Sequence, residues 1–287
     1  MSKYFEETLR ARSVALVPEA ARIAEKPATE ETSQHTDDAA PDFSSPRLKD
    51  CRKIRVPSEN LLNEKFKGSK SLQPAEESYR GLRTRLLRMH VEKGIRSIVV
   101  TSAVPGEGKT HTSLNLAQYC AQLHDMRVLL IDADVRSQGL SRALGSPSGH
   151  GLSNVLAGEC SPEEAVLATD NPNLYAISAG TSGVAPAELF ASKQWQKFIA
   201  WANESFKLLL VDTPPLLNLA DVELITAACD GVLMVVRALH TKRDVLQKCA
   251  GQIDSKKLLG LVYNGADDSA FRKYSYHYYM SGNKAQS

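Results

Sequence analysis

Residues 102–110 read Ser-Ala-Val-Pro-Gly-Glu-Gly-Lys-Thr. They follow the apolar, β-branched run Ile98-Val99-Val100 and precede a helical pattern that starts near Thr110. A strand, a glycine-bearing loop ending Gly-Lys-Thr, and then a helix is the context in which this motif holds phosphate. Backbone N–H groups of such a loop and the positive end of the helix dipole converge on phosphate oxygens. Lys109 then reaches the β- and γ-phosphates, and the Thr110 hydroxyl becomes a ligand for Mg²⁺. Ala103 stands where the motif usually has its first glycine, so the match is to the looser form that allows alanine. The bland alternative is a glycine-rich turn after a strand, and the carboxylates downstream weigh against it.

The run Arg127-Val128-Leu129-Leu130-Ile131 has the pattern of a buried strand and leads into Asp132-Ala133-Asp134-Val135-Arg136. Side chains alternate along an extended chain, so Asp132 and Asp134 share a face there. Such a pair suits a hard cation, or one metal contact and one proton acceptor. A third apolar run, Lys207-Leu208-Leu209-Leu210-Val211, ends in Asp212-Thr213-Pro214-Pro215. Its single carboxylate at a strand tip is what a Walker B aspartate acting on Mg²⁺ requires. One aspartate after a strand is commonly a turn residue or a helix cap. Three of them downstream of Gly-Lys-Thr are hard to obtain by accident.

The chain has 287 residues and 43% hydrophobic content, enough for one sizeable core. The patterning predicts strands at 97–101, 126–131, 174–178, 207–212, 231–237 and 259–263. Helical stretches fall near 75–92, 110–124, 188–204, 220–228 and 243–253. The fold class expected is α/β, a P-loop NTPase with a mostly parallel sheet and helices on both faces. Ligands of such sheets sit at the carboxyl ends of the strands, where all three motifs lie.

Around this domain, expected over 73–264, residues 1–72 form a largely disordered or partner-docking region and 265–287 a flexible tail. Residues 26–46 hold too few apolar groups to offset their ordering entropy. The basic run Arg47-Leu-Lys-Asp-Cys-Arg-Lys-Ile-Arg55 is either a solvated linker or a contact for anionic lipid. No apolar run approaches a membrane span, and the first residues are not a secretory signal. Five scattered cysteines without a Cys-x-x-Cys pair suit a reducing compartment and argue against structural zinc.

Near the end, Tyr274-Ser275-Tyr276-His277-Tyr278-Tyr279 places four tyrosines within six residues, although aromatics make up 6% of the chain. An edge strand or an aromatic patch is one reading. A nucleic-acid stacking platform is another, but only Arg272, Lys273 and Lys284 supply charge nearby, so no nucleic acid is expected. A set of phosphate acceptors at the end of a nucleotide-binding domain is the third.

Together these motifs resemble the bacterial tyrosine kinase (BY-kinase) family of capsule and exopolysaccharide systems. Ser102 to Thr110 resembles its Walker A motif, Leu130 to Arg136 its Walker A′ motif and Leu209 to Pro214 its Walker B motif. Glu77-Ser-Tyr-Arg80-Gly-Leu-Arg83 is similar to the family's Glu-x-x-Arg-x-x-Arg helix, and the tyrosine cluster to its tail. Gly151 to Gly158, Pro186 to Leu189 and Asp230 to Arg237 look similar too. The resemblance covers about 73–287, with separate motifs in family order.

The resemblance implies an ATP- and Mg²⁺-dependent protein-tyrosine autokinase. Lys109, Asp132 and Asp134 would be catalytic, with Asp132 orienting and deprotonating the acceptor hydroxyl. Gly106, Glu107, Gly108, Lys109 and Thr110 would hold the nucleotide, joined by His111 and Asn264. By their own chemistry, His111 reads rather as a surface or packing residue, and Asn264 as a base contact or a turn residue. Thr110, Asp132 and Asp212 would be the metal ligands. Tyr274, Tyr276, Tyr278 and Tyr279 would accept phosphate, and Glu77, Arg80 and Arg83 would join protomers of a ring that phosphorylates in trans.

The implied partners are a membrane-anchored, chain-length-determinant-type activator, protein substrates and a cognate tyrosine phosphatase. The implied location is cytoplasmic, at the inner face of the plasma membrane through that activator. An aspartate (pKa ~4) is a weak base for a tyrosine (~10), but a loose phosphoryl-transfer transition state needs alignment more than early deprotonation. The alternative is a nucleotide-switch ATPase of the MinD/ParA type. Those switches resemble this layout but carry an extra lysine near the start of the loop, where this chain has Val104.

Overall fold

The computed structural model describes residues 48, 51–62, 73–146, 149–217 and 221–265. The tyrosine cluster and most of residues 1–72 lie outside these. Strands β1 (Arg52–Lys53), β2 (Ser97–Ser102), β3 (Val128–Asp132), β4 (Val166–Ala168), β5 (Leu174–Ile177), β6 (Leu208–Asp212), β7 (Gly231–Arg237) and β8 (Leu258–Asn264) join in one sheet. Their spatial order is β1-β4-β5-β3-β6-β2-β7-β8. Every neighbouring pair is parallel except β4 and β5. The helices are α1 (Gln73–Lys93), α2 (Lys109–Ala121), α3 (Gly139–Ala143), α4 (Leu152–Leu156), α5 (Pro162–Ala165), α6 (Pro186–Ala191), α7 (Lys193–Ser205), α8 (Asp221–Ala227) and α9 (Arg243–Ala250).

Continuous apolar strands are a sign of a sheet covered on both sides, and the two faces separate by residue parity. Ile98, Val100, Val128, Leu130, Leu208 and Leu210 point to one layer, where α1 and α2 contribute Leu82, Leu86, Leu114 and Tyr119. Val99, Leu129, Ile131, Leu209 and Val211 point to the other, where α7 contributes Trp195, Phe198 and Trp201. The two tryptophans share that layer through Phe198, whose ring stacks at 5.9 Å on Trp195 and 5.8 Å on Trp201.

The stretch 188–204, patterned as one helix, is two. Ser192 is extended (φ −71°, ψ 153°) and its hydroxyl donates to the Leu189 carbonyl, ending α6 and starting α7. The bend lets Phe190 meet Trp195 edge to face at 5.4 Å. A second difference lies before α1. Residues 51–62 fall in the segment assigned to the amino-terminal region, yet they pack on the domain. Cys51, Val56 and Leu61 are buried, and the Ile54 and Leu62 amides donate to the Ala168 carbonyl and to Asn115 Oδ1. Their apolar residues are too sparse for a period, and β1 and β4 are too short for one.

Candidate active site

The loop after β2 turns on two glycines in the left-handed region, Gly106 (φ 82°) and Gly108 (φ 89°), and α2 begins at Lys109. A Cβ on Gly108 would collide with Asn264 Nδ2, so a larger residue would have to displace that side chain. Asn264, at the end of β8, donates to the Glu107 carbonyl at 2.9 Å and thus sits on the loop itself. The Glu107 carboxylate faces inward and is wholly buried. Its side chain belongs to the loop's foundation, and only its backbone N–H is left to face a phosphate. Val104, where a switch ATPase would place its extra lysine, packs against the apolar cluster around Met234 and Leu246.

Strand order brings the carboxylates together. β6 lies between β3 and β2, so Asp132 and Asp212 are direct partners across one pair and Asp212 faces Val100 across the other. Lys109 Nζ is 3.2 Å from Asp134 Oδ2 and 3.9 Å from Asp212 Oδ2. The Thr110 hydroxyl donates to Asp212 Oδ2 at 2.7 Å, and the Ser113 hydroxyl reaches Oδ1 at 3.2 Å. Ser113 follows Thr110 by one helical turn, and that spacing is the sequence signal by which it is found.

Asp132 is placed differently from the expectation. Its Oδ2 accepts from the Ser141 amide at 2.7 Å and the Ser141 hydroxyl at 2.6 Å, and its Oδ1 accepts from the Asp134 amide at 3.2 Å. It is therefore engaged with α3, and Asp134 is the A′ carboxylate that faces Lys109. No sequence signal marks Ser141, nine residues on in a helix too short to show a period.

The electrostatics of this cluster call for more positive charge. Asp132, Asp134 and Asp212 are buried, and among the described residues one ammonium, Lys109, lies beside them. Burial pushes the Asp212 carboxyl up to about 7, the Lys109 charge pulls against that, and the Asp132 charge adds to it. Burial also raises Asp132, opposed by its bonds from Ser141. Thr110 and Asp212 are the groups that would hold a divalent cation such as Mg²⁺, which would supply the missing charge. Among the described residues no group of three or more His, Cys, Asp or Glu forms a metal cage. The residues present fit Mg²⁺–nucleotide.

His111 lies exposed one position beyond Thr110. On α1, Arg80 pairs with Glu76 at 3.6 Å and Glu77 at 3.5 Å on an exposed face. Arg83 instead donates to the Tyr119 carbonyl of its own α2 at 3.1 Å, so part of its guanidinium is spent within the chain. Among the described residues, no helix is long and apolar enough to cross a membrane.

The family model described as an AAA domain matches residues 95–254, which includes the loop and all three aspartates but not Asn264. Tyrosine-protein kinase YwqD of Bacillus subtilis (strain 168) is 35% identical over 204 residues, covering 70% of this chain and 85% of YwqD. Tyrosine-protein kinase CpsD of Streptococcus agalactiae is 30% identical over 214 residues, covering 73% and 90%. The kinase domain of the Escherichia coli tyrosine kinase ETK superposes with a TM-score of 0.65 at 27% identity, covering 77% of this chain and 84% of that domain.

Proposed function

The chain belongs to the bacterial tyrosine-protein kinases, and we propose that it is an ATP- and Mg²⁺-dependent autokinase acting in trans on Tyr274, Tyr276, Tyr278 and Tyr279. Its setting is a capsule or exopolysaccharide export system, at the inner face of the plasma membrane. There a membrane-anchored activator of the chain-length-determinant type stimulates it and a tyrosine phosphatase reverses it. Protomers assemble through the α1 face that carries Glu77 and Arg80.

The observation that carries this reading is the meeting of Lys109, Thr110, Asp134 and Asp212 at the carboxyl ends of β2, β3 and β6, with distances between 2.7 and 3.9 Å. Backbone N–H groups of residues 106–110 cradle the phosphates, and Lys109 neutralises charge that grows on them. Thr110 and Asp212 hold Mg²⁺, which supplies further charge neutralisation when bound. The reaction class joins the tyrosine oxygen to the terminal phosphorus, releases the diphosphate and leaves the hydroxyl proton to a base. Asp134, buried beside Lys109, aligns that hydroxyl. Asp132, held by the Ser141 amide and hydroxyl and by the Asp134 amide, sets the position of that segment.

The test is a phosphosite map of the intact chain by mass spectrometry after expression in a host without tyrosine kinases. Phosphate on the tail tyrosines is expected in the unmodified protein and none in Lys109→Met. Mixing Lys109→Met with active protein should then restore phosphate to its tail. Phosphotyrosine in Lys109→Met alone would refute the site, and failure of the mixing step would refute transfer in trans.

A further inference from the structure

Glu107 is a buried acid inside the nucleotide loop, and a buried carboxylate is tolerated only where donors surround it. Its Oε2 accepts from the Val104 amide at 2.9 Å, within the loop. Its Oε1 accepts from the Arg237 amide at 3.2 Å, at the end of β7, and from the Thr241 hydroxyl in the turn before α9. The same region is tied twice more. Arg237 Nη1 reaches the Gly106 carbonyl at 3.4 Å, and Asn264 holds the Glu107 carbonyl.

The loop would otherwise be free to deform, because Gly106 and Gly108 on either side of Glu107 carry no Cβ to restrict them. We propose that Glu107 is a positioning residue for the phosphoryl donor. Its side chain is a strut that locks the phosphate loop to the segment Arg237–Thr241, so that the loop's N–H groups already point where phosphate oxygens bind. This rests on reading the loop as the ATP site. Preorganisation of this kind is expressed in binding of the donor. The strut touches neither Lys109 nor the aspartates, so its loss acts on donor affinity more than on the transfer step.

The probe is a fluorescent ATP analogue with Mg²⁺, titrated into the intact chain, alongside steady-state kinase assays with ATP varied. Glu107→Ala should weaken analogue binding by about tenfold or more, the loss that one hydrogen bond to a charged group carries. KM for ATP should rise by the same factor, with a much smaller change in kcat. Thr241→Val removes one donor outside the loop and should weaken binding by about threefold, as expected for one weaker partner. Thr241→Ser, which keeps the hydroxyl, should restore it.

In the Glu107→Ala background, Thr241→Val should add nothing, because its partner is already gone. If Glu107→Ala does not fold, the Thr241 pair carries the test. Unmodified protein that fails to bind the analogue would overturn the ATP-site reading and the strut with it. Normal binding by Thr241→Val, or a loss that serine does not rescue, would overturn the strut alone. So would an equal fall in kcat and affinity.

Discussion

Asp212→Asn should make the nucleotide-free protein more stable while ending its activity. Asp212 is wholly buried and holds bonds from Thr110 and Ser113, but among the described residues its only nearby cation is Lys109 at 3.9 Å. A carboxyl raised from 3.8 to about 7 binds a proton more readily folded than unfolded. Its contribution to stability is therefore full below the unfolded value and is lost as pH rises through about 7. At about 1.4 kcal/mol per pH unit, the charged form costs at most about 4 kcal/mol at pH 8.

Asparagine avoids that cost but makes weaker bonds to the two hydroxyls, leaving a gain of about 1–3 kcal/mol at pH 8. At pH 5 the native carboxyl is already neutral, and the advantage should shrink by about 2–3 kcal/mol. The assay is urea unfolding of both proteins in EDTA at the two pH values, followed by the fluorescence of buried Trp195 and Trp201. Comparing their difference cancels the titrating groups remote from Asp212 and leaves Asp212 with its two charged neighbours, Lys109 and Asp132. A variant less stable than the unmodified protein at pH 8, or a difference that does not change with pH, would refute the reasoning. Phosphate transfer should be lost, because in the proposed function Asp212 is the strand-tip carboxylate that would hold Mg²⁺.

Gly108→Ala places a Cβ against Asn264 Nδ2 at φ 89°. The backbone term alone is about 1–2 kcal/mol, and displacing Asn264 frees the Glu107 carbonyl, so ATP-analogue binding should fall below detection; retained affinity would contradict the loop geometry. Tyr119 carries a buried hydroxyl that lacks a hydrogen-bond partner among the described residues, while its ring stacks on Tyr79 at 5.5 Å. Tyr119→Phe keeps the stack and should raise stability by about 1 kcal/mol, since an unsatisfied polar group is removed. Thermal unfolding checks this, and a lowered midpoint would mean that the hydroxyl is paired.

Much of the fold was legible because its signals are local. The six longer strands and the helix after Gly-Lys-Thr show themselves through runs of apolar residues and one motif, and each lies within a few residues of its predicted place. The break at Ser192 was not legible, because serine is compatible with both a helix and an extended link. The choice there is made by Phe190 meeting Trp195. The packing of Val56 and Leu61 escaped for the same reason: two spaced apolar residues become core only because α1 and α2 leave a place for them.

At the site, Lys109, Thr110 and the three aspartates could be named from residue order, since a motif and the tips of apolar strands are properties of neighbours along the chain. Which aspartate faces Lys109, and that Glu107 looks inward to Arg237 and Thr241, could not. Those facts depend on β6 entering between β3 and β2 and on β7 and β8 closing beside the loop. Strand pairing is settled by burying whole faces of the sheet at once, an energy shared among residues far apart in sequence. A period read along one segment contains no term for it.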